Sequence, residues 1–189
     1  MGDMFVRIVA FTGAGISKSA GIPTFEEVEG LKEKLSVEYK VNHPQEFQNA
    51  INKLKAGVKD KEPTIAHKAL ADLQIPIITM NIDCLHQKAG SRRVYQIHGN
   101  YITDNIVLYG QNILFREESI NLIIQTAKQA KQYDEKAVFL VIGTSMQTVF
   151  ANLLVKIAEE EGMKVHYINE NADEEVPKFL KEHVFLTKT

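Results

Sequence analysis

The sequence is poor in cysteine, in charge of one sign and in long apolar runs. One cysteine, Cys84, stands among 189 residues, which excludes an internal disulfide and a multi-thiolate zinc site. The 22 basic residues face 24 acidic ones, for a net charge of −2, and no basic block interrupts the mixture. A nucleic-acid footprint is therefore missing, although a basic protein tail stays open as a substrate. No apolar stretch approaches the roughly 20 residues that cross a bilayer. The opening residues, MGDMFVRIVAF, lack the cationic start and long apolar core of a secretion signal. Val6 stands where a myristoylation signal requires Ser or Thr. The expectation is a cytoplasmic protein with a reduced thiol, no membrane and no nucleic acid as partner, and an oligomeric state that the sequence leaves open.

What is present is the balance of a globular domain, 44% hydrophobic and 24% charged, in a chain long enough to bury a core without staples. Apolar runs of strand length recur: MFVRIVAF, IPIITM, RVYQI, NIVLY, AVFLVIG, KVHYIN and HVFLT. Most are apolar throughout, as strands covered on both faces are. Between them lie helical patterns. TIAHKALADL follows Pro63 and places Ile65, Ala69, Leu70 and Leu73 on one stripe; EESINLIIQTAKQAKQ and TVFANLLVKIAEEEG share that periodicity, with Gly162 as a stop for the last. The alternation predicts an α/β fold around a mainly parallel sheet. It predicts one domain over residues 1–189, with the polar residues 24–62 forming a helical and loop insert after the first strand-turn unit.

Three constellations carry chemistry. The first strand runs into VAFTGAGISKSAGIP (residues 9–23). Glycines at that edge of a parallel sheet let a pyrophosphate approach backbone N–H groups, or they simply make a turn. The dehydrogenase fingerprint G-x-G-x-x-G fails here: Gly13 and Gly15 fit, but Lys18 takes the third position and Gly21 comes three residues late. Ser17 and Ser19 are candidate helix caps. In MNID, Asn81 and Asp83 offer hydrogen-bonding groups suited to a carboxamide, while Asp83 is also placed to cap the next helix. His98, after the strand RVYQI, is either a packing residue or a proton acceptor working near neutrality. Gly143, Thr144 and Ser145 end a buried strand and open the segment QTVFANLL, a helix start suited to an anion. His67, His86 and Cys84 are expected to be structural.

Taken in order, these segments resemble the sirtuins, the NAD-dependent protein deacylases. GAGISKSAGIPTF resembles that family's first signature, TMNIDCLHQKAG its T-Q-N-I-D-x-L-H motif, and QIHGN the segment of its catalytic histidine. VLYGQ resembles its F-G-E strand, VIGTSM its G-T-S loop, YINEN its late strand end, and EPTIAHKALADL its P-N-x-A-H helix. The resemblance implies a Rossmann-like parallel sheet with helices on both faces and a reduced helical small domain. It implies that Gly13, Ala14, Gly15, Ile16, Ile22, Pro23, Phe25, Met80, Asn81, Ile82, Asp83, Gly143, Thr144, Ser145, Asn169 and Glu170 bind NAD. His98 would be the catalytic base, with Asn81 and Asp83 beside the reacting centre. Val107, Tyr109 and Gly110 would meet an acyl-lysine peptide, which pairs with segment 109–111 as an added strand. The products would be lysine, nicotinamide and O-acyl-ADP-ribose, with no metal in the chemistry.

Departures from the family pattern accompany the resemblance. Only NYITD separates Gly99 from NIVLY, where most sirtuins place a zinc ribbon with two cysteine pairs, so no zinc ribbon is expected. Glu26, Met80, Gln111 and Phe150 replace the family's Arg, Gln, Glu and Pro. These changes keep two other readings open: an NAD-consuming ADP-ribosyltransferase or glycohydrolase, and a non-catalytic NAD or ADP-ribose binder.

Overall fold

The computed structural model describes residues 6–23, 27, 28, 30–103 and 105–184. Five strands form one parallel sheet: β1 Val6–Thr12, β2 Ile77–Thr79, β3 Val94–Gln96, β4 Lys136–Ile142 and β5 Lys164–Ile168, in the order β3-β2-β1-β4-β5. The helices are α1 Leu31–Lys34, α2 Val37–Asn42, α3 Pro44–Lys59, α4 Ile65–Asp72, α5 Leu85–Lys88, α6 Arg116–Gln132, α7 Val149–Glu160 and α8 Ala172–Val184. A 3-10 helix, Ala14–Ala20, follows β1.

The side-chain alternation of the central strands explains the layers. Val9, Phe11, Phe139 and Val141 pack beneath α6 and α7, against Ile123, Ala127, Ala151 and Leu154. Ile8, Ala10, Val138 and Leu140 point the other way, onto Leu70 of α4 and Val176 and Leu180 of α8. Both faces are covered, so the strands read as unbroken apolar runs. β5, at the sheet edge, is only partly covered: Lys164 and Tyr167 are exposed, Val165 and His166 half-buried and Ile168 buried. A third cluster holds Leu31, Leu35, Phe47 and Ile51 of the 24–62 insert together with Leu108. Helices α1, α2 and α3 lie within this segment.

The register aligns the strand ends that carry the site. Thr12 lies opposite Thr79 and Ile142, Thr79 opposite Gln96, and Ile142 opposite Ile168. The loops after all five strands thus leave one rim. The chain works outward from β1 to β3 and then crosses back to β4, so the crevice of the doubly wound sheet opens between β1 and β4.

The structure corrects four local expectations. NIVLY is not a strand: Leu108 is buried against the insert's own cluster, and only an isolated bridge joins Tyr109 to Ser36. In HVFLT, His183 and Val184 end α8, and the remaining residues lie outside those described. Ile65 is exposed, and the buried face of α4 is Ala66, His67, Leu70 and Ala71. The helix after the Gly143 loop begins only at Val149, capped by the Thr148 hydroxyl on Ala151 N–H, because Gly143 and Met146 both sit at positive φ and interrupt the run. Residues 143–145 are therefore not a helix N-terminus.

Candidate active site

The glycine turn and the Gly143 loop are packed backbone to backbone. A Cβ on Gly15 would lie 2.6 Å from Gly143 Cα, and one on Gly13 would lie 2.7 Å from Gly143 O. The missing side chains thus serve first the approach of the two loops to each other. Two amides expected to face a phosphate are already used: Gly13 N–H donates to Ile142 O and Gly15 N–H to Gly143 O. Ile16 is buried under the turn. On the β4 side of the crevice, Asn169 Oδ1 accepts from Thr144 N–H at 3.3 Å, which ties the ends of β4 and β5 together. Ser145 and Glu170 are exposed on the same rim. Ser17 and Ser19 cap no helix. Ser19 donates to Asp173, and Ser17 belongs to the site proper.

Ser17 joins the turn to the 81–83 segment. Its hydroxyl donates to Asp83 Oδ2 at 2.7 Å and accepts from Asn81 Nδ2 at 3.2 Å. Asn81 Nδ2 also donates to Gly13 O, so Oδ1 is left to accept from a ligand. Asp83 Oδ1 takes Leu85 N–H at 3.0 Å, a bond across two residues that starts α5 without a conventional cap. Burial pushes the Asp83 carboxyl above its ordinary value, and the bonds from Leu85 and Ser17 hold it back. Asn81, Ile82 and Asp83, with Ala14, Ile22 and Pro23, open on a chamber of about 510 Å³ that continues between α1 and α3. Cys84, directly after Asp83, is buried, and burial raises its thiol, so it stays protonated and inert. Phe25 and Glu26 lie outside the described residues.

His98 is fixed from the same segment. Its Nδ1 lies 3.2 Å from Met80 O. The carbonyl can only accept, so Nδ1 carries the proton and Nε2 holds the lone pair. Burial lowers the imidazole's pKa, and the bond to Met80 pulls it partly back. Met80 itself turns its thioether toward the Thr148 hydroxyl. Beyond His98 the chain closes on itself. Asn100 Oδ1 accepts from Ile102 N–H, Thr103 N–H and the Thr103 hydroxyl, and Asn105 Oδ1 accepts from Asn100 N–H. The segment then returns, with Val107 N–H donating to His98 O. Among the described residues no cluster of His, Cys, Asp and Glu could hold a metal.

The segment expected to pair with a peptide is largely engaged. Tyr109 N–H donates to Leu35 O, and its carbonyl accepts from Val37 N–H. Leu108 is closed by Gln111, whose Oε1 accepts from Leu108 N–H and whose N–H donates to Leu108 O. The Tyr109 ring remains exposed, and Gly110 follows at positive φ.

Beneath the rim lies a buried polar chain. Thr12 Oγ1 contacts Thr79 Oγ1 at 2.8 Å and His86 Nε2 at 2.9 Å, while Thr64 Oγ1 contacts His67 Nδ1 at 2.8 Å and Ile16 O at 3.2 Å. The two imidazole rings lie 4.5 Å apart, tilted by 54°, and His67 Nε2 and His86 Nδ1 have no partner among the described residues. Burial holds His67 at about 4 despite Asp173 nearby, and burial followed by the neighbouring His67 holds His86 well below its ordinary value. Free histidine protonates near ~6.5, so the unfolded chain takes up these protons first. Stability is complete above that value and falls as pH drops toward 4. His67 alone carries about 3 kcal/mol across that window. Asp83, raised by burial, works in the opposite sense. The clean measurement is therefore a comparison: Tm of the wild type should drop between pH 7.5 and pH 5 by roughly 5 °C more than that of His67→Gln. Equal drops would reject the neutral pair.

Sequence reasoning missed Ser17 as a site residue, although it is the serine of GAGIS. It also missed the helical wall of the chamber, because residues 24–62 match no motif. The crevice between β1 and β4, the acceptors at Asn81 Oδ1 and Asp83, and the chamber behind them fit the carboxamide end of a dinucleotide.

Comparison with known proteins follows the same outline. The family model described as the Sir2 family matches residues 13–105. An NAD-dependent protein deacetylase of Saccharolobus solfataricus is 32% identical over 85% of this chain and 79% of its own. An NAD-dependent protein deacylase 2 of Archaeoglobus fulgidus is 30% identical over the same shares. Among solved structures, a Sir2 homolog–NAD complex superposes with a TM-score of 0.78 at 22% identity, over 93% of this chain and 88% of that one. A Sir2 bound to acetylated peptide gives 0.75 at 23%, over 93% and 92%.

Proposed function

The chain belongs to the Sir2 family, and from that membership we propose that it is an NAD-dependent protein-lysine deacylase. The observation that carries this reading is the pairing of a carboxamide clamp, Asn81 and Asp83 locked by Ser17, with an imidazole held by Met80 of the same segment. The deacetylase and deacylase relatives support it.

NAD, when bound, supplies a glycosidic bond whose rupture frees nicotinamide and leaves a ribose carbon to accept the acyl oxygen. Asn81 Oδ1 and the Asp83 carboxylate accept from the carboxamide N–H groups and hold the leaving group at the mouth of the chamber. Ala14, Ile22, Pro23 and Ile82 wall that mouth, and Thr144, Ser145, Asn169 and Glu170 lie where the adenosine half would run. His98 Nε2, neutral and unprotonated, takes a proton from a ribose hydroxyl. Val107, Tyr109 and Gly110 flank the entry of the acyl-lysine. With one water consumed, the products are lysine, nicotinamide and O-acyl-ADP-ribose. A cytoplasmic setting and zinc-free operation belong to the same proposal and are supported by the single cysteine of the sequence.

One observation favours a second reading. The backbone of Tyr109 is already bonded to Leu35 and Val37, so an added peptide strand must pair through Gly110 or displace them. A glycohydrolase or ADP-ribosyltransferase needs no such strand. Nicotinamide release from NAD, with and without acetyl-lysine peptide, separates the two. We expect release that rises at least tenfold with peptide. Equal release without peptide would overturn the deacylase assignment.

A further inference from the structure

We propose that His86 and His67 are positioning residues for nicotinamide binding: through the hydroxyls of Thr12, Thr79 and Thr64, their ring N–H groups fix the backbone that carries Ser17, Asn81 and Asp83. This rests on the reading of those three residues as a carboxamide clamp and goes beyond it.

The direction of each proton in the network is set by its neighbours. A backbone carbonyl only accepts, so Thr79 donates its hydroxyl proton to Thr12 O at 3.4 Å. Thr79 Oγ1 then accepts from the Thr12 hydroxyl at 2.8 Å and from Asn81 N–H at 3.0 Å. Thr12 has given its proton to Thr79, so its oxygen accepts from His86, and Nε2 at 2.9 Å carries the hydrogen. The second branch runs alike. Thr64 donates to Ile16 O at 3.2 Å, so its oxygen accepts from His67 Nδ1–H at 2.8 Å. One branch ends on Asn81. The other ends on Ile16, the residue before Ser17. Asn81 Nδ2 and Ser17 Oγ meet at 3.2 Å, so the two branches hold the two sides of the clamp.

Packing alone does not account for two imidazoles here. The proton directions leave a bare lone pair on His86 Nδ1 and on His67 Nε2, the ring nitrogens without a partner among the described residues. His67 is 0% and His86 1% exposed. An unpaired acceptor at that depth is costly, and a leucine would fill similar volume without one. The work of the opposite nitrogens explains why the rings are tolerated. Each donor also polarises the next bond in its chain, so loss of the His86 N–H loosens Thr12, then Thr79, then the Asn81 amide. Neither imidazole lines the chamber; both act through the threonines.

The test compares NAD with ADP-ribose, which lacks the carboxamide and makes no demand on the clamp. Calorimetry gives the affinity of each for the whole protein, and the ratio of the two cancels any general loss of folding. His86→Leu and His67→Leu keep apolar bulk and remove the donor. His86→Gln puts an amide N–H near the place of Nε2, and His67→Asn puts one near the place of Nδ1. We expect each leucine variant to lower the NAD-to-ADP-ribose affinity ratio about tenfold, the size of one ordinary hydrogen bond lost to the ligand. The amide variants should stay within about threefold of wild type. Thr79→Val, near in volume but unable to accept from Asn81 N–H, should behave like the leucine variants, and Thr79→Ser like wild type.

A ratio within about twofold of wild type in the leucine variants and in Thr79→Val would overturn the proposal. So would amide variants as weak as the leucine ones, because volume rather than the donor would then decide binding. The expected pattern of ratios without nicotinamide release from any acetyl-lysine peptide would leave the positioning role and remove the deacylase reading. Peptide-dependent release with unmoved ratios would do the reverse. A wild-type protein that binds no NAD would overturn both.

Discussion

Replacing His98 with alanine is expected to lower peptide-dependent nicotinamide turnover a hundredfold or more, within the range of about 10² to 10⁴ typical of a lost general base. The geometry makes the expectation specific. Nδ1 is committed to Met80 O at 3.2 Å, so Nε2 is the basic atom, and no other imidazole of the rim could replace it. His86 and His67 are sealed beneath the loops and kept neutral by burial. Burial also keeps His98 unprotonated below the usual histidine value. The rate should therefore persist at mildly acid pH and decline only on the acid side of ~6.5. His98→Gln, which keeps much of the volume and polarity, should be nearly as inactive as His98→Ala. Turnover by either variant within threefold of wild type would remove His98 from the mechanism. A rate that falls off above neutrality, rather than below, would remove its role as a base.

The second large effect concerns a glycine that no ligand need touch. Gly15→Ala puts a methyl 2.6 Å from Gly143 Cα and 2.9 Å from Gly143 O. Both are backbone atoms, so no flexible side chain can yield. The two loops must part, and with them the bonds from Gly15 N–H to Gly143 O and from Asn81 Nδ2 to Gly13 O. Overpacking of this kind costs about 3 kcal/mol, or a Tm lower by roughly 9 °C at this chain length. NAD binding should be lost along with it, since the crevice between β1 and β4 is what opens. Gly57→Ala is the control. With open space around its Cβ, it should hold or raise stability by up to ~1 kcal/mol. If Gly15→Ala melts within about 2 °C of wild type, the packed-loop account is wrong.

These effects show why the glycine turn could be misread and still be found. The sequence motif singles out Gly13 and Gly15, and the structure gives their missing side chains a packing reason. Glycines after a strand suggest room for a pyrophosphate, whereas Gly13 and Gly15 make room first for Gly143. A packing partner more than a hundred residues away leaves no local trace. Ser17 was visible only as a hydroxyl near a helix start. Its bonds to Asn81 and Asp83 exist because β1 and β2 are neighbours in register, Thr12 opposite Thr79. NIVLY failed as a strand for a related reason. Its apolar residues do enter a core, but that core belongs to the 24–62 helices, and a hydrophobic pattern does not say which core it fills.

The sequence by itself determined the parallel sheet with helices on both its faces. These follow from local periodicity and from the two-faced burial of apolar strands. Tertiary structure alone decided which amides remain free, which tautomer His98 carries, how Leu35, Val37 and Gln111 engage Leu108 and Tyr109, and that a chamber lies behind Asn81 and Asp83. Those properties depend on distances between atoms far apart in the chain. Hydrogen bonds and steric overlap act over a few ångströms, and only the completed fold brings the partners that close.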